Sequence, residues 1–351
     1  MKYTFDDIEL FSRPRSFNNT TKKEILQYAV SGLLYMPATK TKIIDDILTQ
    51  KHPEFKSICL DLEDSIGDDT VLQAEENVTI ILKTLSEACE NETLSNDDIP
   101  LIFIRVREPK QVERIFENAG KYFDVLTGFN FPKFDKTNAK EYLNSFDTVQ
   151  KQSKKILYFM PILESKNVMN IKTRLNELNQ IYQLCSNYSE NVLNIRVGAT
   201  DFCNLYGLRR NINQTIYDIR VVSECFSDIM NIFGESFVVS GPVWEYFDSK
   251  GTPGKWSEGL EKELALDKVN GFIGKTCIHP SQLSYITKSN IVSYENYQDA
   301  INILGMNKGI IGVSKGHGNN KMNEVKTHFN WARKIMCLAE IYGVMKPETN
   351  E

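Results

Sequence analysis

The sequence predicts an α/β fold, a (β/α)8 TIM barrel with an N-terminal arm and a C-terminal helical extension. Three observations predict it. Eight short runs rich in β-branched and aromatic residues recur between residues 33 and 279. Longer amphipathic stretches separate them, as repeated βα units around a parallel sheet require. The runs are nearly continuous in apolar character, which is how strands buried on both faces read. Eight such units in about 250 residues match a closed barrel better than an open, doubly wound sheet, although pattern alone leaves the open sheet standing as the alternative.

The runs, in order, are LLYMP (33–37), SICLDLED (57–64), PLIFIRV (100–106), LTGFNFPKF (126–134), ILYFMPILES (156–165), VLNIRVGATD (192–201), FVVSGPVW (237–244) and GKTCIH (274–279). Between them, stretches such as TVLQAEENVTIILKTLSEACE and TIYDIRVVSECFSDIMNIFG repeat their apolar residues at three and four, the helical period. Residues 1–30, with Asn/Thr clusters and few apolar repeats, read as an arm holding at most one helix. Residues 31–285 make the barrel. From 286 to 351 the chain reads as a helical extension: SYENYQDAINILGM, a Gly-rich break GIIGVSKGHGNNK, then the amphipathic VKTHFNWARKIMCLAEIYGV.

Composition narrows the function classes. With 41% hydrophobic and 25% charged residues the chain is globular, and its length suffices for a large core. A net charge of -5 gives no support to a surface that tracks phosphates, so nucleic acid is not an expected partner. No run approaches the roughly 18 apolar residues of a membrane span, and MKYTFDDIELFSRP lacks the apolar core of a secretion signal. A cytoplasmic location is the expectation. Seven cysteines without a CxxC pair fit neither a disulfide framework nor a zinc site, and read as small core residues.

Barrel chemistry sits at the C-terminal ends of strands, so polar residues ending the apolar runs are the candidates. These are Asp61, Glu63 and Asp64, Arg105 and Arg107, Lys133, Glu164, Asp201 and His279. Carboxylates from neighbouring strand ends repel unless a cation lies between them, and Mg2+ suits one or two carboxylates plus substrate oxygens. Glu164 and Asp201, from consecutive strands, are the expected metal ligands. The alternative for Asp201 is a helix cap. Arg105 follows three apolar residues, so its guanidinium starts inside the barrel and needs an anion there. Either a substrate oxygen or an acid of the second strand would serve. His279, alone before Pro280, reads as structural, and neither GFIGKT nor GTPGKW has the full pattern of a phosphate-binding loop.

Taken together, LDLEDSI, PILES, VGATDF and GKTCIHPSQ, in this order and with an Arg-containing strand between the first two, resemble the citrate lyase β-subunit-like family. That family lies in the HpcH/HpaI aldolase superfamily and includes malyl-CoA and citramalyl-CoA lyases. The likeness spans residues 31 to 340. It implies a Mg2+-dependent carbon-carbon lyase, with Glu164 and Asp201 on the metal and Arg105 on the substrate's oxygens. It also implies that Glu63 and Asp64 stand near the metal waters and the acyl carrier, and that the protein is a homo-oligomer, a trimer or hexamer. The family's acid/base carboxylate, supplied by a neighbouring subunit, is matched within NKMNE by Glu324, where Asp is usual; the alternative is a solvated acid at a helix start.

The chain also departs from the family pattern. Ser31 and Gly32 stand where Arg-Ser is common, and Val71 and Glu75 where basic residues would steady an anionic carrier. A free organic acid and an acyl-CoA therefore both remain open as substrates. The GPVW segment and the loop EYFDSKGTPGKW resemble lyase-like proteins of bacterial tellurite-resistance-associated biosynthetic clusters. The expected reaction is an aldol- or Claisen-type cleavage or condensation. Two alternatives stand beside it: thioester hydrolysis on the same scaffold, and a noncatalytic barrel that binds an organic acid.

Overall fold

The computed structural model describes residues 1–306, 313–318 and 322–347. The chain forms two compact units, one of Met1 with Asn18–Ile286, the other of Lys2–Phe17 with the residues from Thr287 onward.

In the first unit each predicted run supplies one strand: β1 (Gly32–Pro37), β2 (Ser57–Asp61), β3 (Leu101–Arg105), β4 (Leu126–Phe131), β5 (Tyr158–Leu163), β6 (Ile195–Val197), β7 (Val239–Ser240) and β8 (Lys275–Cys277). They pair in parallel in the order β7-β6-β5-β4-β3-β2-β1-β8. A parallel bridge between Gly241 and Lys275 joins the two ends, with Gly241 N–H donating to the Gly274 carbonyl at 2.9 Å. The barrel predicted from the sequence is therefore the fold, and the open sheet is not. At the β8–β1 seam Gly274 has φ +71°, and a Cβ there would meet the Ser31 carbonyl at 2.3 Å. Only glycine suits both the conformation and the close approach.

The strands are shorter than the runs that announce them, for local reasons. The 192–201 run leaves the sheet after Val197 because Gly198 caps a short helix, Ala199–Asn204. The 237–244 run stops pairing beyond Gly241, where Pro242 has no N–H to give. Helices follow the strands, among them Val71–Glu90, Pro109–Ala119, Ala139–Gln152 and Lys255–Val269.

Side chains alternate along each strand. Leu60, Ile104, Phe131 and Phe159 point outward into a core shared with Val78, Leu82, Val112 and Phe146 of the helices. Phe131 alone stacks on Tyr142 at 4.7 Å and on Phe159 at 5.1 Å, pairs worth about 0.5–1.5 kcal/mol each beyond their buried area. The opposite set faces the barrel interior. Asp61, Arg105, Asn130 and Met160 are register partners across β2 to β5 and form one such row, while Ile162, Arg196 and Ser240 form another across β5 to β7. The apolar wall thus aims polar groups inward at fixed heights.

The second unit contains two packed helices, Tyr294–Met306 and Val325–Tyr342, as the sequence predicts. Leu10–Ser12 pairs antiparallel with Val344–Met345, and Tyr3 stacks on Tyr342 at 4.9 Å. A hairpin of Val313–Lys315 and Met322–Glu324 is tied by buried Asp299, which accepts from Asn323 Nδ2 at 3.0 Å. Residues 307–312 and 319–321 of the Gly-rich break lie outside the described residues. Among the described residues no helix is long and apolar enough to cross a membrane.

Candidate active site

Loops from all the strands converge where the C-terminal ends of a closed parallel barrel meet. A cavity of about 390 Å³ opens there, and its lining includes Tyr35, Asp61, Arg105, Glu164, Asp201 and Thr276. Five residues singled out from the sequence, Asp61, Asp64, Arg105, Glu164 and Asp201, line it together.

Glu164 follows β5 and is buried. Two backbone features hold its carboxylate. A Cβ on Gly198 would fall 2.1 Å from Glu164 Oε2, so the space the carboxylate occupies exists because residue 198 is glycine. On the other side, Lys133 N–H donates to Oε1 at 2.8 Å, from a residue in the left-handed region at φ +49°. Such a conformation is costly for a lysine and recurs at sites where position matters more than local stability.

Asp201 is the third residue of the helix Ala199–Asn204, and Gly198 rather than Asp201 takes the cap position. Burial, and then the Asp201 charge, push Glu164 up to about 8. Burial raises Asp201 as well, with Asp64 adding to it and Lys133 and Arg105 opposing. Two acids this close cannot both ionise unaided; they share a proton or need a cation between them. Among the described residues no group of three or more His, Cys, Asp or Glu is placed to hold a metal. Magnesium takes sites of one or two carboxylates, filling its shell with water and substrate oxygens.

Arg105 ends β3 inside the barrel. Its Nε and Nη2 each donate at 2.6 Å to the Asp61 carboxylate, and Nη1 lies 2.9 Å from Glu63. Of the two anions expected for it, the structure places an acid at the end of the second strand. Burial opposes the charge of Asp61, but the Arg105 fork and the N–H groups of Ser65 and Glu63 outweigh it and hold that carboxyl below its usual range. Glu63 is raised by burial despite Arg105 and Lys133. Lys133 Nζ pairs with Glu63 and lies 3.4 Å from Asp64. The mouth therefore carries five acids, Asp61, Glu63, Asp64, Glu164 and Asp201, against Arg105 and Lys133.

The remaining sequence candidates fall elsewhere. Arg107 donates to the carbonyls of Leu62, Glu63 and Ile66 and so pins the loop after β2. His279 accepts from Ser281 N–H at 3.2 Å and stacks on Phe247 at 4.4 Å, as its structural reading anticipates. Glu324 belongs to the second unit; it ends a hairpin strand just before Val325–Tyr342, and Thr327 Oγ1 donates to its Oε2 at 3.1 Å. Residues that reading the sequence did not single out are Tyr35, which accepts from Asn130 Nδ2 at 2.6 Å, the cradle glycine Gly198, and the pair Arg196 and Thr276. The signal for Arg196 was present: an arginine inside VLNIRV is as costly as Arg105 inside PLIFIRV.

These features define a TIM barrel whose C-terminal end carries a mainly acidic mouth. Residues 24–344 match the family described as C-C bond lyase of the TIM-barrel fold, and the chain belongs to that family. The resemblance to the citrate lyase β-subunit superfamily read from four short motifs agrees with it. Among solved structures, the chain is similar to CitE from Mycobacterium tuberculosis in complex with magnesium, acetoacetate and coenzyme A. The TM-score is 0.57 at 15% identity, over 89% of this chain and 99% of that one. It is also similar to RipC from Yersinia pestis, with TM-score 0.50 at 15% identity over 75% and 95% of the two chains. Haloferax volcanii malate synthase in its magnesium/glyoxylate complex gives TM-score 0.50 at 14% identity over 69% and 70%. At such identities the likeness establishes the fold. None of the curated proteins matches the sequence.

Proposed function

We propose that the protein is a Mg2+-dependent lyase that makes or breaks a carbon-carbon bond in a small organic acid, by aldol or Claisen chemistry. One observation carries this reading: Glu164 and Asp201, from consecutive strands, meet at one cavity that Arg105 also lines. They would hold the metal. When bound, magnesium supplies a Lewis acid that stabilises the negative charge growing on substrate oxygens as the bond breaks. Arg105, fixed by Asp61, adds N–H donors beside those oxygens. Lys133 keeps Glu63 and Asp64 paired, so that they do not compete for the cation. Glu324, supplied by a neighbouring subunit as the family resemblance implies, is the proposed acid/base residue.

A free acid is the favoured substrate. Residues 64–79, which follow the acidic pair, contain no Lys or Arg. Glu75, at a position where a basic carrier contact is expected, is instead buried and bound by Gln111 at 2.7 Å and Arg114 at 2.9 Å. That stretch offers no cation to a phosphorylated carrier.

The test is magnesium titration of the wild type and of Glu164→Ala and Asp201→Ala, followed by product analysis with free and CoA-linked 2-oxo and 3-hydroxy acids. Both variants are expected to stay folded and to lose magnesium. Undiminished affinity in either would remove the metal assignment, and hydrolysis without carbon-carbon cleavage would replace the lyase reading with a thioesterase one.

A further inference from the structure

Arg196 extends from β6 into the barrel interior and is 1% exposed. Its register partners, Ile162 on β5 and Ser240 on β7, face the same way. The small Ser240 leaves room for the long side chain to cross β7 and reach β8, where Nη2 donates to Thr276 Oγ1 at 2.7 Å. That is its one hydrogen bond from the guanidinium among the described residues: Nε and Nη1 are buried without a partner. No acid among the described residues pairs with it.

The contrast with the other buried cations is sharp. Arg105 has Asp61 and Glu63; Lys275, wholly buried, has Glu263 at 2.9 Å and Asp267 at 2.7 Å; Arg210 has Glu263 and Glu245. A guanidinium buried without an anion works against folding.

Thr276 shows where an anion would enter. A guanidinium has donors and no acceptor, so Thr276 Oγ1 must accept from Arg196, and its own hydrogen is left to donate. Among the described residues it meets no acceptor, and Thr276 lines the cavity together with Ile162, Val197 and Gly198, the neighbours of Arg196. Thr276 stands on β8, three staves round from Glu164 on β5 and three the other way from Arg105 on β3. Arg196 itself springs from β6, the strand that leads to Asp201, and carries its charge from there to Thr276 on the β8 wall of the same cavity.

We propose that Thr276, backed by Arg196, forms an anion subsite for a second carboxylate of the substrate, on the β8 wall of the cavity that Glu164 and Asp201 also line. The substrate class is then a small acid carrying two anionic groups. This rests on the lyase reading for its first anchor, the metal corner, but the subsite itself stands on Arg196 and Thr276. Arg196 is a positioning residue, acting through the threonine hydroxyl.

The test uses the full chain, with malonate as the two-carboxylate probe and acetate as the one-carboxylate probe, each titrated calorimetrically with and without saturating magnesium. Arg196→Met and Thr276→Val are expected to weaken malonate about 10- to 100-fold, the range for a lost charge-assisted donor. Acetate should change less than threefold, and magnesium affinity not at all. Ligand-free Arg196→Met should melt at or above the wild-type temperature, because an unpaired buried charge has been removed. A lower melting temperature with unchanged malonate affinity would make Arg196 a purely structural residue and overturn the proposal. So would failure of the wild type to bind malonate under either condition. Wild-type protein that binds malonate in an Arg196-dependent way but shows no magnesium heat would leave the subsite standing and sink the metal reading instead.

Discussion

Magnesium binding by the Glu164–Asp201 pair should release a proton, and the amount is fixed by one buried side chain. Glu164 is pushed up to about 8 from an ordinary 4.5, by burial first and by Asp201 second. At pH 7 a carboxyl raised this far holds its proton, so metal binding should displace it. Apparent affinity should rise about tenfold from pH 6 to pH 7 and level off above about pH 8. The same shift sets a stability trend with the opposite sign to that of an ion-paired acid. Between about pH 4.5 and pH 8 the unfolded chain has lost this proton while the folded chain keeps it. The metal-free protein should therefore weaken as pH rises through that window. Calorimetry in buffers of different ionisation enthalpy counts the proton, and urea midpoints from pH 5 to pH 8 follow the stability. Affinity flat from pH 6 to pH 8 with no proton release would mean that Glu164 is ionised in the folded chain, and the argument for a prepared cation site would fail. Glu164→Gln should flatten the stability slope, with the raised Asp201 and Glu63 keeping part of it, and should abolish the metal affinity.

Two substitutions probe the supports. Gly198→Ala places a Cβ 2.1 Å from Glu164 Oε2, which must push the carboxylate out of its cradle; magnesium affinity should fall at least tenfold in titration, with a stability cost of about 1–3 kcal/mol by chemical denaturation. Lys275→Met leaves the carboxylates of Glu263 and Asp267 buried without their shared cation, and should cost about 3–5 kcal/mol in the same assay while leaving magnesium affinity unchanged.

The barrel was legible because its strands are buried on both faces. Runs such as PLIFIRV and LTGFNF cannot be mistaken for half-exposed strands, and eight of them in order leave few topologies. The strand ends were less legible. The last residues of VLNIRVGATD look like a continuing strand, yet Gly198 starts a helix and Asp201 lies in its first turn, a switch decided by tertiary packing against Glu164. Glu164 and Asp201 were found by a rule about position, polar residues closing apolar runs. The partner of Arg105 could not be chosen that way, because a substrate oxygen and Asp61 satisfy the same buried fork equally well on paper. Register settles it: Asp61 and Arg105 are cross-strand neighbours facing the same interior.

Arg105 and Arg196 carry the same sequence signal, a permanent charge inside an apolar run, and the fold gives them opposite fates. Arg105 meets an acid from the adjacent strand in its own row, so its charge is largely spent before any ligand arrives, and its remaining value lies in rigid N–H donors. Arg196 shares its row with Ile162 and Ser240, which have no charge to offer, and it reaches across β7 to a hydroxyl instead. Inside a barrel, then, the number of cations says little about affinity for anions. What counts is which cations the adjacent staves leave unpaired, and here, among the described residues, that cation is Arg196, held by Thr276 on the cavity wall.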